Sequence, residues 1–140
     1  MTKTPWAHLP NAQHIDAVLA DVKARPEVWK AALDAAWGAA RSAAGYAARS
    51  AAWVAARDVA WDAARRAAWD AAWDAAGDAA RTAARDAARD AIAALVTWDS
   101  SADLLECTPD VLRTMIDLAE PPVCHQAALL LPYAIVRMTK

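Results

Sequence analysis

The feature that most restricts this chain is a four-residue unit, x-Ala-Ala-x, repeated fourteen times without a gap. It runs from Asp34-Ala35-Ala36-Trp37 to Asp86-Ala87-Ala88-Arg89, and only Val59 interrupts the alanine pair. The residue ahead of the pair is mostly Asp or small, and the residue behind it is Trp, Arg or Gly and nothing else. Alanine is the best helix former and arginine loses little in a helix. Strands want β-branched and aromatic residues alternating with period two. The repeat is therefore helical.

On a helix, successive residues lie about 100° apart. The two alanines of a unit then share one side, and Asp with Trp or Arg forms a ridge on the other. Each unit is displaced about 40° from the last, so fourteen units would wind the methyl face about one and a half times round a straight helix. No flat partner can follow that. Either neighbouring helices coil right-handedly, as a period above 3.6 implies, or the repeat is cut into shorter helices. Cutting is expected at Gly45 and Gly77, because glycine weakens a helix interior and caps its C-terminus. One uncut helix would be about 84 Å long.

Burial must follow from this pattern. Of 140 residues, 42 are alanine and none is phenylalanine, so a conventional Leu/Ile/Phe core is not expected. Small side chains let helix axes approach to the low end of the usual ~8–10 Å. The eight tryptophans would supply most of the remaining apolar area, on the order of 200 Å² each. The expected fold is all-α: a compact multi-helix bundle with close Ala-mediated packing and right-handed crossing or coiling. We expect one domain over 1–140, with an N-terminal helix in 1–25, tetrad helices in 26–98 and C-terminal helices in 99–140.

The flanks read as ordinary helical sequence. Trp6 to Pro10 is an extended lead, and Asn11 caps a first helix whose stripe is Ile15, Val18, Leu19 and Val22. That helix ends near Ala24, because Arg25 precedes Pro26. Pro26 and Glu27 open a second helix that runs into the tetrads. Beyond Asp90 larger side chains appear: Ile92, Leu95, Val96 and Trp98. Asp99-Ser100-Ser101 is a turn, followed by a short helix with Leu104 and Leu105. Thr108-Pro109-Asp110 is a cap, a first-turn proline and a first-turn acid. Pro121-Pro122 breaks that helix, and a last one holds Val123, Ala127 and Leu129 to Leu131. Pro132 kinks or ends it.

The charge balance excludes several classes of function. Net charge is −2. Seven Asp meet eight Arg within the repeat, which opposes a duplex nucleic-acid surface built on clustered positive charge. No charge-free run of about twenty residues is present to insert in a membrane, and Met1 to Pro5 leads into no signal-peptide core, so a cytoplasmic location is expected. Cys107 and Cys124 are too few for a disulfide framework and read as free buried thiols.

The candidate contact residues are Trp53, Arg57, Trp61, Arg65, Trp69 and Trp73. Indole and guanidinium groups in alternation can stack bases and hold phosphates. The competing reading is packing: Trp fills the groove beside an alanine face, and a nearby Asp accepts its indole N–H. Pairs such as Asp62–Arg65, Asp78–Arg81 and Asp86–Arg89 are ordinary helix-surface pairs. Carboxylate pairs such as Asp58/Asp62 and Asp70/Asp74 read as a solvated face rather than a catalytic dyad. Cys107, Cys124 and His125 lack zinc-site spacing. An ice-binding face would want regular threonines, and Thr82 is the only one in the repeat. No catalytic, cofactor or metal residue is assigned.

Leu9-Pro10-Asn11 followed by His14-Ile15, then Pro26-Glu27-Val28-Trp29 leading into Ala-Ala-Trp and Ala-Ala-Arg tetrads, and Ala127 to Pro132 at the end, carry a resemblance. The chain resembles small alanine-rich proteins of uncharacterised role from bacteriophage and bacterial genomes. More loosely, its tetrads are similar to those of bacterial toxin-immunity proteins with alanine-rich helices. The resemblance implies no catalytic residues and no cofactor, and by analogy a host-directed inhibitor. The expectation is a non-enzymatic interaction protein, homo-oligomeric, that binds a host macromolecule or another copy of itself. The alternative is a nucleotide-sequestering protein with Trp/Arg-lined pockets between helices.

Overall fold

The computed structural model describes residues 4–37, 43–59, 63–75 and 82–139. Among them the chain forms α1 (Ala12–Ala24), α2 (Pro26–Trp37), α3 (Ala43–Val59), α4 (Ala63–Ala75), α5 (Thr82–Thr97), a 3-10 helix (Asp99–Leu104), α6 (Pro109–Leu118) and α7 (Val123–Met138). These helices pack on one another as an all-α bundle. None is long and apolar enough to cross a membrane among the described residues.

The repeat is cut, but not at Gly45, which lies in the first turn of α3. Glycine's penalty belongs to the helix interior, and the opening turn tolerates it. Within the repeat the described helices are α2, α3 and α4 over the ranges given above, followed by the start of α5. Gly77 lies outside the described residues.

The two alanines of a unit are not equivalent. The second is buried at Ala36, Ala48, Ala52, Ala56, Ala68, Ala72, Ala84 and Ala88, and only Ala64 among those described is half-buried. The first is exposed or half-buried at every described unit except Ala87. The expected two-alanine face is therefore one row of second alanines at four-residue spacing. Such a row drifts about 40° per unit, so three units sweep about 80°. That fits within the ~100° apolar stripe a packed helix presents. A fourth or fifth unit would rotate off the partner, which accounts physically for short helices.

Helix α5 is the axis of the bundle and packs against α1, α2, α3, α4 and α7. Its run from Ala87 to Val96 is buried at every position except Arg89. A helix so enclosed must satisfy its last carbonyls from elsewhere. Ser101 Oγ donates to the Ala94 carbonyl at 2.8 Å, Asn11 Nδ2 to Leu95 at 2.9 Å, and Arg65 Nε to Val96 at 2.8 Å. Asn11 also reaches the Asp99 carbonyl at 3.2 Å. The expected local cap is thus corrected. Asn11 precedes α1, but its side chain makes no cap bond there; it closes the far end of α5.

Other local expectations divide. Thr108 Oγ1 accepts from Val111 N at 3.3 Å, capping α6 as its sequence implied. Trp6 to Pro10 is a set of turns rather than extended, with Trp6 buried and its Nε1 donating to Asp16 at 2.9 Å. Pro132 lies inside α7, which continues to Met138. The α7 core face carries Ala127 to Leu131 and Val136, all buried. Trp29 of α2 stacks on Tyr133 of α7, centroids 5.3 Å apart.

Candidate functional site

The residue after each alanine pair lies about 100° round the helix from the buried alanine, at the edge of the contact. Trp37, Arg49, Trp53, Arg65, Arg85 and Arg89 are accordingly half-buried, and Trp69 is buried. Where α3, α4 and α5 meet, these edges face one another and form a ladder of alternating indole and guanidinium groups.

Trp53 of α3 and Trp69 of α4 lie with ring centroids 5.0 Å apart. The Arg89 guanidinium of α5 sits over both, 5.6 Å from the Trp53 ring and 5.0 Å from the Trp69 ring. Cation–π attraction gains as such groups leave water. One step along, Arg49 grips Asp90 with two hydrogen bonds, Nε to Oδ2 at 2.8 Å and Nη2 to Oδ1 at 3.1 Å. Arg49 also lies 6.0 Å from the Trp37 ring.

Asp90 is the electrostatic centre of the ladder. Its side chain is 0% exposed while Arg49 keeps 28%. Burial pushes the Asp90 carboxyl from 3.8 up to about 7, with Asp86 adding repulsion; Arg49 and the Trp53 indole pull the other way. Desolvation of a carboxylate can exceed the attraction of one partner, and at Asp90 burial prevails. The repeat pattern did not single out this residue. The available signal was that Asp90 is followed by the unbroken apolar run Ala91 to Val96, which places its turn of helix deep in the bundle.

Of the six candidate contact residues, the structure brings Trp53 and Trp69 together. Arg65 is turned to the α5 terminus and Arg57 is exposed. Trp61 and the side chain of Trp73 lie outside the described residues. Outside the repeat, Trp6 donates to Asp16. The expectation that Asp accepts the indole N–H of a repeat tryptophan is met by Trp53 with Asp90. It fails for Trp69, whose buried N–H finds no acceptor among the described residues. Its neighbour Asp70 faces solvent, 3.4 Å from Arg66. Asp62, Asp78 and Arg81 of the expected surface pairs are outside the described residues.

Two open grooves lie away from the ladder. One, of about 360 Å³, lies between α2 and α7 and is lined by Val28, Ala31, Ala32, Ala35 and Ile135 with Glu27 and Thr139. The other, of about 370 Å³, lies between α1 and α4 and is lined by Leu19, Ala20, Lys23, Ala71 and Asp74. Cys107 and Cys124 are free thiols, half-buried and buried. No group of three His, Cys, Asp or Glu side chains is placed to hold a metal among the described residues.

Fold and ladder together define a class: a helical bundle packed through alanine methyls and pinned by internal indole–guanidinium and carboxylate–guanidinium contacts. No protein-family model, no curated protein and no solved structure matches the chain.

Proposed function

We propose that the chain is a non-enzymatic interaction protein of the cytoplasm that binds another macromolecule and blocks it. The resemblance to bacteriophage and bacterial alanine-rich proteins makes a host-cell component the natural target. The observation that carries this reading is the placement of Arg89. Its guanidinium lies over Trp53 and Trp69, where a nucleobase would have to stack in a sequestering protein. Arg49 is committed to Asp90 and Arg65 to a backbone carbonyl, so these two guanidinium groups are engaged inside the bundle, while Arg57 faces solvent. The ladder then stabilises the scaffold, and recognition falls to the outer surface. The homo-oligomer expected from the sequence would use the outer face of α3, where Ala47, Ala51 and Val54 are exposed; the second-alanine rows are already buried within one chain.

The test is purification from a bacterial lysate followed by absorbance at two wavelengths, mass spectrometry and sedimentation. The proposal expects no excess absorbance near 260 nm and a protein recovered in fixed stoichiometry. A nucleotide that co-purifies stoichiometrically, with no protein partner, would replace it with the sequestering reading.

A further inference from the structure

Charge is distributed unevenly along this chain. Residues 99–120 hold six acids and one base, whereas the remainder holds eleven acids and fourteen bases. The six, Asp99, Asp103, Glu106, Asp110, Asp117 and Glu120, are all exposed. Arg113 lies 3.6 Å from Asp110, and Arg137 of α7 lies 3.5 Å from Glu106, so two of the six have a basic neighbour and the zone as a whole stays negative.

Helix α6 runs through this zone with apolar side chains on more than its core side. Leu112 and Ile116 are buried, while Val111 is 44% and Leu118 79% exposed. Met115 is half-buried between them. At about 100° per residue, positions 111, 115 and 118 fall within an arc of about 60°, forming one ridge beside the buried side chains. Asp110 and Asp117 border that ridge on the side away from the core, by the same geometry. A lone exposed leucine is ordinary on a protein surface. A ridge at i, i+4 and i+7, contiguous with the core edge and set among acids, is what a partner helix packs against.

We infer that this face of α6 docks a basic amphipathic helix of the target, its apolar stripe on Val111, Met115 and Leu118 and its Lys or Arg side chains on Asp110 and Asp117. The inference rests on the interaction reading above and supplies the chemistry of the partner. Charge selects this occupant. A second copy meeting the ridge about a two-fold axis would set Asp110 and Asp117 against themselves. Nucleic acid and anionic lipid surfaces are repelled by the same acids. A basic partner is steered in, with an association rate that falls as salt rises.

The experiment titrates the full chain into a fluorescently labelled Leu/Lys amphipathic peptide of about eighteen residues, or five helical turns, and reads anisotropy. A Leu/Glu peptide of the same pattern is the control. Wild type should bind the Lys peptide, more weakly at high salt, and should ignore the Glu peptide. Leu118→Asp should weaken binding roughly tenfold or more, although it adds a negative charge. Asp110→Asn with Asp117→Asn should weaken it about threefold to tenfold. Leu118 is largely solvated, so circular dichroism should show the variant folded. The inference is overturned if Leu118→Asp binds as tightly as wild type, since attraction would then be charge alone. It is equally overturned if wild type does not bind, if the Glu peptide binds as well, or if Leu118→Asp abolishes self-association in sedimentation. A host protein captured equally by wild type and Leu118→Asp would remove this surface and leave the proposed function standing. Peptide binding with no host partner would do the reverse.

Discussion

Helices α3 and α7 both pack on α5, yet different physics holds them there. From α7 the core receives Leu129, Leu130, Leu131 and Val136 as well as Ala127 and Ala128. From α3 the buried apolar groups among the described residues are Ala48, Ala52 and Ala56, with Trp53 half-buried beside them. A buried leucine contributes about 1.5–3 kcal/mol, and a methyl group far less. So α7 adheres through area. The attachment of α3 rests on close approach together with the Arg49–Asp90 clamp and the Trp53–Arg89 contact. A poor core composition can therefore still specify a packed helix, provided the polar groups at its edge find partners.

The most severe test of that contrast is Arg49→Ala. It strips a buried carboxyl of its counter-ion and should cost about 3–5 kcal/mol at a pH well above 7, less near neutrality where the carboxyl takes up a proton instead, read as a fall in urea midpoint. The clamp also sets a pH dependence. An unfolded Asp titrates near 3.8, whereas Asp90 in the fold titrates near 7. Between those values the folded chain holds a proton the unfolded chain has lost, so stability declines as pH rises through the window and levels off above it. Asp90→Asn should flatten that slope. If stability is instead flat through that window and rises with pH only below about 3.8, the attraction of Arg49 outweighs burial and Asp90 titrates low.

The other side of the contrast is Leu130→Ala on α7. Losing buried area and leaving a cavity should cost about 2–5 kcal/mol. On α3 the damaging change is the opposite one. Ala52→Leu forces three extra carbons into a contact with no spare volume and should cost about 1–3 kcal/mol by overpacking. If Ala52→Leu is neutral while helicity is kept, α3 is not in close register with its neighbours and the comparison fails.

How much of this was legible depends on whether the determining chemistry was local. Helix limits at Pro26, at Thr108-Pro109 and before Pro121-Pro122 follow from backbone restrictions a single residue imposes, and the structure places them there. The all-α fold follows from the tetrads. Which alanine of a pair turns inward was not legible, because the two are chemically identical and only the partner helix distinguishes them. Asn11 looked like a local cap because cap residues and long-range amide donors are the same residue type; its acceptors lie 84 and 88 positions away. Asp90 was marked only as the point where the strict repeat is lost, since periodicity gives an angle but not a depth.

That last point yields the mildest prediction. Arg66 and Asp70 of the repeat carry the same chemistry as Arg49 and Asp90, at 3.4 Å and four residues apart on α4. Their side chains keep 64% and 60% of their exposure, so water already solvates both charges and the pair is screened by salt. Arg66→Ala should therefore change stability by only about 0.2–0.5 kcal/mol, with the difference fading at high salt. Against the Arg49→Ala loss measured in the same buffer, the ratio isolates what depth adds to one interaction type. A large effect at Arg66 would mean that α4 is covered there by something other than solvent, and the ladder would then extend to a face that the described residues leave open.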